Sequence, residues 1–238
     1  MSTPRGTLYL IPVSLGPVPW QHFLPPQLQH PAPGRAHSEV EHAQPARAHW
    51  TALDFPGALR DTEIHELPRE DTPAALDALL APALAGHDIG LMSEAGCPAV
   101  ADPGARLVAR AHALGLRVVP LVGPSSILLA LMASGLNGQS FAFHGYLPVN
   151  DAERDNRLRA LEDESRRAQR TQIFIETPYR NERMLDALLR VCRPETRLCV
   201  ARDLTTADEW ICSQVIAHWR KAPRPDLARR PALFLILA

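Results

Sequence analysis

The sequence predicts an α/β protein with two α/β domains, the first built on a mainly parallel sheet and the second on a mixed sheet. Short β-type runs alternate with helical patterns through the first half of the 238 residues, which is typical of βαβ crossovers. The second half is richer in strand patterns. Hydrophobic residues make up 46% of the chain, which is enough for sizeable cores. We place the domains at residues 1–121 and 122–238.

The first half contains five strand patterns. They cover residues 7–11, 38–41, 62–67, 88–92 and 116–121. Residues 16–36 are rich in Pro and Gln and predict an irregular loop, and a helix is expected to run through Trp50. Asp71 or Thr72 caps the next helix, which has Pro73 in its first turn. A further helix is expected to begin at Asp102, as its cap, and to end at Gly115.

The second half begins with a strongly apolar helix that opens at residues 124–126 and stops at Gly135. Residues 151–170 are highly charged and predict a solvated helix, and residues 179–191 predict another. The predicted strands are residues 171–175, 197–201, 210–216 and 232–237.

The composition argues against several classes of function. The net charge of −1 lacks the basic excess of proteins that hold nucleic acid by bulk electrostatics, and we expect no DNA partner. Residues 127–133 are the longest strongly apolar stretch, far short of the roughly 20 residues of a membrane helix. The N-terminus lacks the apolar region of a signal peptide, so we expect a cytoplasmic protein. Lys221 is the only lysine, which argues against a P-loop.

Metal and disulfide chemistry are not expected. The four cysteines are scattered without CxxC spacing and are interpreted as reduced thiols. The ten histidines show no HExxH pattern or other tight ligand spacing.

The most informative stretch is residues 93–104, SEAGCPAVADPG, which follows a strand and precedes a helix. It therefore lies at the carboxyl end of a parallel sheet, where open α/β sheets bind ligands. Gly96 would let the backbone approach a ligand closely. The alternative is an ordinary strand-to-helix connection with Asp102 as a helix cap.

A second strand end, residues 120–126 (PLVGPSS), brings Gly123 and two hydroxyls to a helix N-terminus. The free amides there suit a carboxylate or a polar ring; the alternative is N-capping by Ser125 or Ser126. A third, residues 175–180 (IETPYR), offers Glu176 as an acceptor for ligand hydrogen bonds and Arg180 for an anion. Its alternative is a surface salt bridge.

Together these strand ends resemble a known family. Residues 93–104 resemble the Asp-Ala-Gly-x-Pro-x-x-x-Asp-Pro-Gly signature of the tetrapyrrole (corrin/porphyrin) methylases, and residues 119–126 resemble their Pro-x-Pro-Gly-Pro-Ser segment. Residues 8–16, 145–148 (GYLP) and 176–180 resemble further blocks in the same order. Within the family, the blocks are most similar to the ribosomal RNA small subunit methyltransferase I branch.

The resemblance implies S-adenosylmethionine as cofactor, held in a cleft between two α/β domains, usually in a homodimer. The matching positions that would contact the cofactor are Leu15, Cys97, Val100, Ser125, Ser126, Glu176, Ala201 and Pro231. Such a site depends heavily on backbone contacts. The chain has no GxGxxG loop, which this family also lacks.

The implied activity is methyl transfer, and the branch implies 2′-O-methylation of ribosomal RNA. The branch's Glu-Asp-Thr-Arg motif appears here as EHAQ at residues 41–44. An RNA contact patch is one interpretation of a set of arginines among which acidic residues interleave; the other is a solvated face. The arginines are Arg154, Arg157, Arg159, Arg166, Arg167 and Arg170.

A hydroxyl acceptor would benefit from a general base, for which Glu94, Asp102 and His144 are the candidates. A lone histidine is commonly a satisfied core residue, so His144 has that alternative too. The other functions that the sequence leaves open are C-methylation of a tetrapyrrole, a non-catalytic relative that binds S-adenosylmethionine, and a nucleotide-binding protein without methyl chemistry.

Overall fold

The computed structural model describes residues 4–19, 37–40 and 63–238 of the chain. It divides into two compact units, Met1–Ser125 and Ser126–Ala238, which are described separately below. Two sequence expectations lie outside the described residues: the helix through Trp50 and the EHAQ segment at residues 41–44. Most of the expected loop of residues 16–36 lies outside them too.

Unit 1 contains a five-stranded sheet in the order β3-β2-β4-β1-β5, and every neighbouring pair is parallel. The strands are β1 Thr7–Ile11, β2 His37–Val40, β3 Glu63–Glu66, β4 Ile89–Met92 and β5 Arg117–Pro120. Each overlaps a predicted strand, and the parallel sheet confirms the fold class expected for the first half.

Two helices of unit 1 begin by different means. Helix α1 (Pro73–Leu84) is capped by Thr72, whose Oγ1 accepts a hydrogen bond from the amide of Ala75. Helix α2 (Ala105–Ala113) begins later than expected, because its N-cap is Gly104 at φ +115° with no side-chain cap. The prediction that Asp102 caps this helix is therefore wrong: the chain makes an extra turn at residues 101–104 before the helix starts.

The core of unit 1 lies between the sheet and these two helices. Leu8 on β1 and Leu91 on β4 are fully buried against Leu80 of α1. Each such buried side chain contributes on the order of 2 kcal/mol of transfer free energy. The remaining buried members of this core are Leu76, Ala83, Ile89, Leu107, Ala111 and Leu116.

Unit 2 contains a mixed five-stranded sheet in the order β6-β7-β10-β8-β9, in which only β6 and β7 pair in parallel. The strands are β6 Phe141–Tyr146, β7 Thr171–Ile175, β8 Arg197–Arg202, β9 Trp210–Val215 and β10 Ala232–Leu237. The helices are α3 Ser126–Ser134, α4 Asp151–Ala168, α5 Asn181–Val191 and α6 Ile216–Trp219. The mixed sheet confirms the fold class expected for the second half.

Helix α4 is confirmed, but the expectation of a solvated helix holds for only part of its surface. Leu158 and Leu161 are fully buried in the core of unit 2, and Glu162 is buried beside them. The Glu162 carboxylate accepts hydrogen bonds from the amide of Arg193 and the hydroxyl of Thr196. This buried face was not evident from the sequence because it includes a charged residue. A buried carboxylate such as that of Glu162 is tolerated when hydrogen bonds satisfy it.

Glu39 is an unusual residue on β2. Its register partner on β4 is Leu91, so its side chain projects to the same face as that core residue. It is fully buried, and neither carboxylate oxygen has a hydrogen-bond partner within the described part of the chain. Burial raises the pKa of Glu39 from 4.5 to about 8, so the folded protein holds this carboxyl in its protonated form near neutral pH.

Every helix within residues 4–19, 37–40 and 63–238 is too short or too polar to cross a lipid bilayer.

The Glu39→Gln variant should change how stability depends on pH. Because the folded pKa lies above the unfolded value, the native state retains a proton that the unfolded chain releases, and stability falls as pH rises from about 5 to 8. This loss amounts to roughly 3 kcal/mol, and the amide should remove it. Urea denaturation at a series of pH values measures the difference. The matched control is Glu63→Gln on the neighbouring strand, where the carboxylate is exposed. Parallel curves for wild type and Glu39→Gln would contradict the assignment.

Candidate functional site

Three loops meet at the carboxyl end of the sheet in unit 1. They follow β1, β4 and β5, and β1 lies between the other two strands in the sheet. The first and second loops are joined by two backbone hydrogen bonds: the Val13 amide donates to the Gly96 carbonyl at 2.8 Å, and the Gly96 amide donates to the Val13 carbonyl at 3.0 Å. Polar strand ends that the sequence marked separately therefore lie together.

Two glycines allow these loops to pack closely. A Cβ atom on Gly123 would lie 2.2 Å from the ring of Pro12, and one on Gly96, which has φ +74°, would lie 3.3 Å from Leu15. The Cys97 thiol donates a hydrogen bond to the carbonyl of Pro124 at 3.3 Å. The structure thus brings the expected site positions Leu15 and Cys97 next to the segment that leads into Ser125.

The signature loop itself has an unusual backbone. Ala99 and Ala101 have φ of 64° and 63°, a region that costs a non-glycine residue on the order of 1 kcal/mol or more. Between them, Val100 is 49% exposed. Strained residues persist only where the surrounding structure determines them, so this loop holds Val100 outward in a defined position.

Two carboxylates accompany this loop. Glu94 lies two residues after the end of β4 and is exposed, while Asp102 is half-buried. Burial raises the pKa of Asp102, a hydrogen bond from the Ser93 side chain opposes that rise, and the charge of Glu94 adds to it. Since Asp102 does not cap α2, its carboxylate is a stronger candidate for proton transfer than the sequence indicated.

Ser125 ends unit 1 and Ser126 is the first residue of α3, and both are half-buried. The three remaining candidates lie in unit 2, at one end of the strands of its sheet. We call this end, where β7 and β8 finish and β10 begins, the edge of unit 2. Glu176 follows β7, Ala201 lies near the end of β8, and Pro231 directly precedes β10.

Backbone hydrogen bonds join the segments of this edge. The amide of Asp203 donates to the carbonyl of Pro231 at 3.0 Å, and the amide of Arg229 donates to the carbonyl of Pro178 at 3.1 Å. The side chain of Asn181 donates to the carbonyl of Arg230 at 2.6 Å. The structure therefore brings Glu176, Ala201 and Pro231 to one edge.

The carboxylate of Glu176 is already engaged within the chain. One of its oxygens accepts from the Thr177 amide at 2.6 Å and from the Arg180 guanidinium at 2.6 and 3.0 Å. The Glu176 side chain is only 2% exposed, so this is a largely buried ion pair and not the surface salt bridge considered above. It holds Arg180 against its own strand end.

His144 lies on β6 with both ring nitrogens occupied. An Arg157 nitrogen lies 3.2 Å from Nδ1, and the Gln172 side-chain oxygen lies 2.6 Å from Nε2. A guanidinium can only donate, so Nδ1 accepts and the proton sits on Nε2. With both nitrogens bonded inside the fold, His144 is poorly placed to act as a general base.

The six arginines that the sequence grouped on and after α4 do not share one role. Arg154 is buried and paired with Asp151, while Arg166 and Arg170 lie within 4.0 Å of Glu195 and Glu164. Arg157 is bonded to His144. Arg159 and Arg167 are exposed and have no carboxylate partner among the described residues. The arrangement does not favour α4 as a continuous basic surface.

The sequence reasoning missed a polar network at the end of β8. Asp203 accepts from Arg202 at 2.7 Å and from Arg230 at 2.8 Å. Three buried side-chain atoms at or after the ends of β7 and β8 have no hydrogen-bond partner among the described residues: Asn181 Oδ1, Arg202 Nε and Thr205 Oγ1. The sequence signal that could have revealed this network is a fourth polar strand end. Arg202 is the last residue of the largely apolar strand β8, and Asp203 follows it directly.

The described residues contain no group of three or more His, Cys, Asp or Glu side chains arranged to hold a metal ion.

Replacing Gly123 with alanine should disrupt the meeting of the three loops. The new methyl group would overlap the Pro12 ring, and we expect a loss of roughly 1–3 kcal/mol in stability with a lower melting temperature. The matched control is Gly138→Ala, whose added Cβ meets nothing within 4 Å. Equal melting temperatures for the two variants would show that the close approach of Pro12 and Gly123 is not a constraint.

Known proteins match this chain over most of its length. The model of the family "Tetrapyrrole (Corrin/Porphyrin) Methylases" matches residues 32–218. The ribosomal RNA small subunit methyltransferase I of Pseudomonas aeruginosa is 42% identical over 133 residues, which are 56% of this chain and 46% of that protein. The protein of that name from Mesorhizobium japonicum is 40% identical over 63% of this chain and 49% of its own length. The chain thus spans about half the length of these relatives.

The protein of the same name from Xylella fastidiosa is 31% identical over the whole of this chain and 82% of its own length. Among solved structures, the methyltransferase CobJ has a TM-score of 0.61 at 18% identity and covers 98% of this chain and 94% of its own. Uroporphyrin-III-C-methyltransferase from Thermus thermophilus has a TM-score of 0.53 at 20% identity, with 98% and 92% covered. These structures confirm the fold, and the family model together with the Xylella relative confirms the resemblance seen in the sequence: the chain belongs to the tetrapyrrole (corrin/porphyrin) methylase family.

Proposed function

We propose that this protein is an S-adenosylmethionine-dependent methyltransferase that methylates a ribose 2′-oxygen of ribosomal RNA. The observation that carries the proposal is the meeting of the three loops in unit 1, which brings Leu15 and Cys97 next to the segment that leads into Ser125. The relatives named above, all called ribosomal RNA small subunit methyltransferase I, support RNA as the acceptor.

The residues of both units fit the cofactor chemically. In unit 1, Leu15 and Val100 offer apolar contact. In unit 2, the unpartnered polar atoms of Asn181 and Thr205 lie in the segments that carry Glu176, Ala201 and Pro231. The set that would hold the cofactor is Leu15, Cys97, Val100, Ser125, Ser126, Glu176, Ala201 and Pro231.

In the proposed mechanism, this chain positions the acceptor hydroxyl and removes its proton. The bound cofactor supplies an electrophilic methyl group on a sulfonium, so orientation of the nucleophile is the main task of the protein. Asp102 accepts the hydroxyl proton, because its raised pKa makes it a better base than an ordinary aspartate. The Ser93 side chain favours the ionised form of Asp102, and the charge of the exposed Glu94 opposes it by raising the pKa of Asp102.

Two further properties belong to the same proposal. We expect a homodimer, as the family resemblance implies, and light scattering of the purified protein tests it against a monomer. An enzyme that modifies ribosomal RNA works where ribosomes are assembled, so we place it in the cytoplasm.

Titration calorimetry with S-adenosylmethionine and S-adenosylhomocysteine tests the cofactor site. We expect one molecule per chain and no comparable binding of ATP or NAD. The Ser126→Trp variant should weaken binding at least tenfold, because the indole would fill the space at the start of α3. The matched control is Gln139→Trp, at an exposed loop position of the same unit. Wild-type affinity in Ser126→Trp would remove this helix start from the site.

The Asp102→Asn variant tests the proton acceptor. We expect kcat to fall about a hundredfold or more, with unchanged calorimetric binding of S-adenosylhomocysteine. In the wild type, kcat/KM should rise as pH increases through the raised pKa of Asp102, and this acidic limb should disappear in the variant. Asp163→Asn on the exposed side of α4 is the matched control. A variant that keeps its acidic limb and most of its rate would exclude Asp102 as the base.

A further inference from the structure

An exposed tyrosine marks the edge of unit 2 that carries Glu176. Tyr179 follows β7 and is 81% exposed, the highest exposure among the large hydrophobic side chains described. A second ring, Tyr146, ends β6 and is 59% exposed. Since β6 and β7 are parallel neighbours and Tyr146 pairs with Ile175, both rings lie at the same end of the sheet. Exposed aromatic rings are the usual stacking surfaces for unpaired bases.

Two arginines without carboxylate partners lie next to Tyr179. Arg183 is exposed and lies in the first turn of α5, four residues after Tyr179. Arg229 is exposed, and its amide donates to the carbonyl of Pro178, the residue before Tyr179. Neither arginine has an ion pair among the described residues.

The other arginines of this edge form ion pairs with carboxylates, whereas Arg183 and Arg229 do not. Arg180 is bonded to Glu176, Arg202 to Asp203, and Arg230 to both Asp203 and Asp226. Arg183 and Arg229 are therefore the guanidinium groups left available for an outside anion. The Glu182 carboxylate beside them reduces, but does not cancel, their positive charge.

The backbone at this place has two special features, one that fixes Arg229 and one that favours an anion. Arg229 has φ +58°, in the left-handed region that is uncommon for residues other than glycine, and the bond to Pro178 holds it there. Helix α5 begins without a side-chain cap, so its first amides and its dipole favour a negative group near Tyr179. Aromatic surface, two available cations and an uncapped helix start occur together.

We propose that this edge binds a single-stranded segment of the acceptor RNA, with a base stacked on Tyr179 and backbone phosphates held by Arg183 and Arg229. The inference rests on the proposed function for the identity of the RNA. It assigns the contact to the edge of unit 2 and not to the arginine-rich helix α4, whose arginines are mostly engaged within the fold. Tyr146 offers a second ring for the neighbouring base.

Binding of a fluorescent single-stranded oligoribonucleotide, followed by anisotropy in a salt series, tests the edge without requiring catalysis. Tyr179→Ala should weaken binding roughly tenfold, while Tyr179→Phe, which keeps the ring, should bind as wild type does. The double variant Arg183→Gln/Arg229→Gln should lower the slope of log Kd against log salt by about 1.4, because each lost phosphate contact to a single strand removes about 0.7. Arg159→Gln/Arg167→Gln on α4 is the charge-matched control and should leave the slope nearly unchanged.

Methylation of 30S subunits then separates this inference from the proposed function. If the wild type methylates 30S subunits, the edge variants should raise KM for them while S-adenosylhomocysteine binding stays the same. If methylation is intact and Tyr179→Ala and the double arginine variant keep wild-type KM and salt slope, the RNA contact lies elsewhere and the inference fails. If the wild type methylates no 30S subunits, the proposed acceptor fails, and the oligoribonucleotide measurement still decides whether the edge binds RNA.

Binding of uroporphyrin III to the same edge variants tests the other class of ligand. Weakened binding of uroporphyrin III with unchanged RNA binding would assign the edge to a polycarboxylate macrocycle and overturn the proposal.

Discussion

The candidate site depends on one backbone contact, the pair of hydrogen bonds between Val13 and Gly96. It joins the loop after β1 to the loop after β4, and the loop after β5 can join them only because Gly123 leaves room for Pro12. A side chain at Gly123 would overlap the Pro12 ring and push the loops apart, and with them the positions proposed to hold the cofactor. Because the contact is made by main chain, it tolerates change in side chains. The Cys97 thiol adds one side-chain contact between the second and third loops, because it donates to the carbonyl of Pro124.

In unit 2 the segments at the edge are joined largely by ion pairs between side chains, whereas in unit 1 the loops are joined by backbone hydrogen bonds. At the edge of its sheet, Asp203 accepts hydrogen bonds from two arginines, and Glu176 holds Arg180. Such partly buried pairs fix geometry, although their net contribution to stability is small once desolvation is counted. Their effect on function is selective neutralisation. Arginines within the network are unavailable to a ligand, and the two outside it, Arg183 and Arg229, keep their charge for a partner.

Most strands and helices were predictable because their signals are local. The apolar runs of β7 to β10, and the cap of α1, depend on residues a few positions apart, and every strand predicted among the described residues is present. Strand β6 (Phe141–Tyr146) was not predicted. Asp102 looked like a helix cap, but the extra turn ending at Gly104 shifted the start of α2. For the arginines of α4, the sequence left an RNA contact patch and a solvated face open. It could not decide between them because the carboxylate partners come in part from distant segments, as Glu195 does for Arg166.

The sequence by itself determined the family, the two kinds of sheet and the strand ends where ligand contacts are expected, because glycines, prolines and apolar periodicity act over short distances. Only the tertiary structure decided which polar residues remain available at those strand ends. His144 and Glu176 are hydrogen-bonded to partners within the fold. Glu39 is buried with no hydrogen-bond partner among the described residues, and Arg183 and Arg229 have no carboxylate partner there. Whether a charged or titratable group is engaged depends on atoms brought next to it from elsewhere in the chain, and no local pattern in the sequence encodes that proximity.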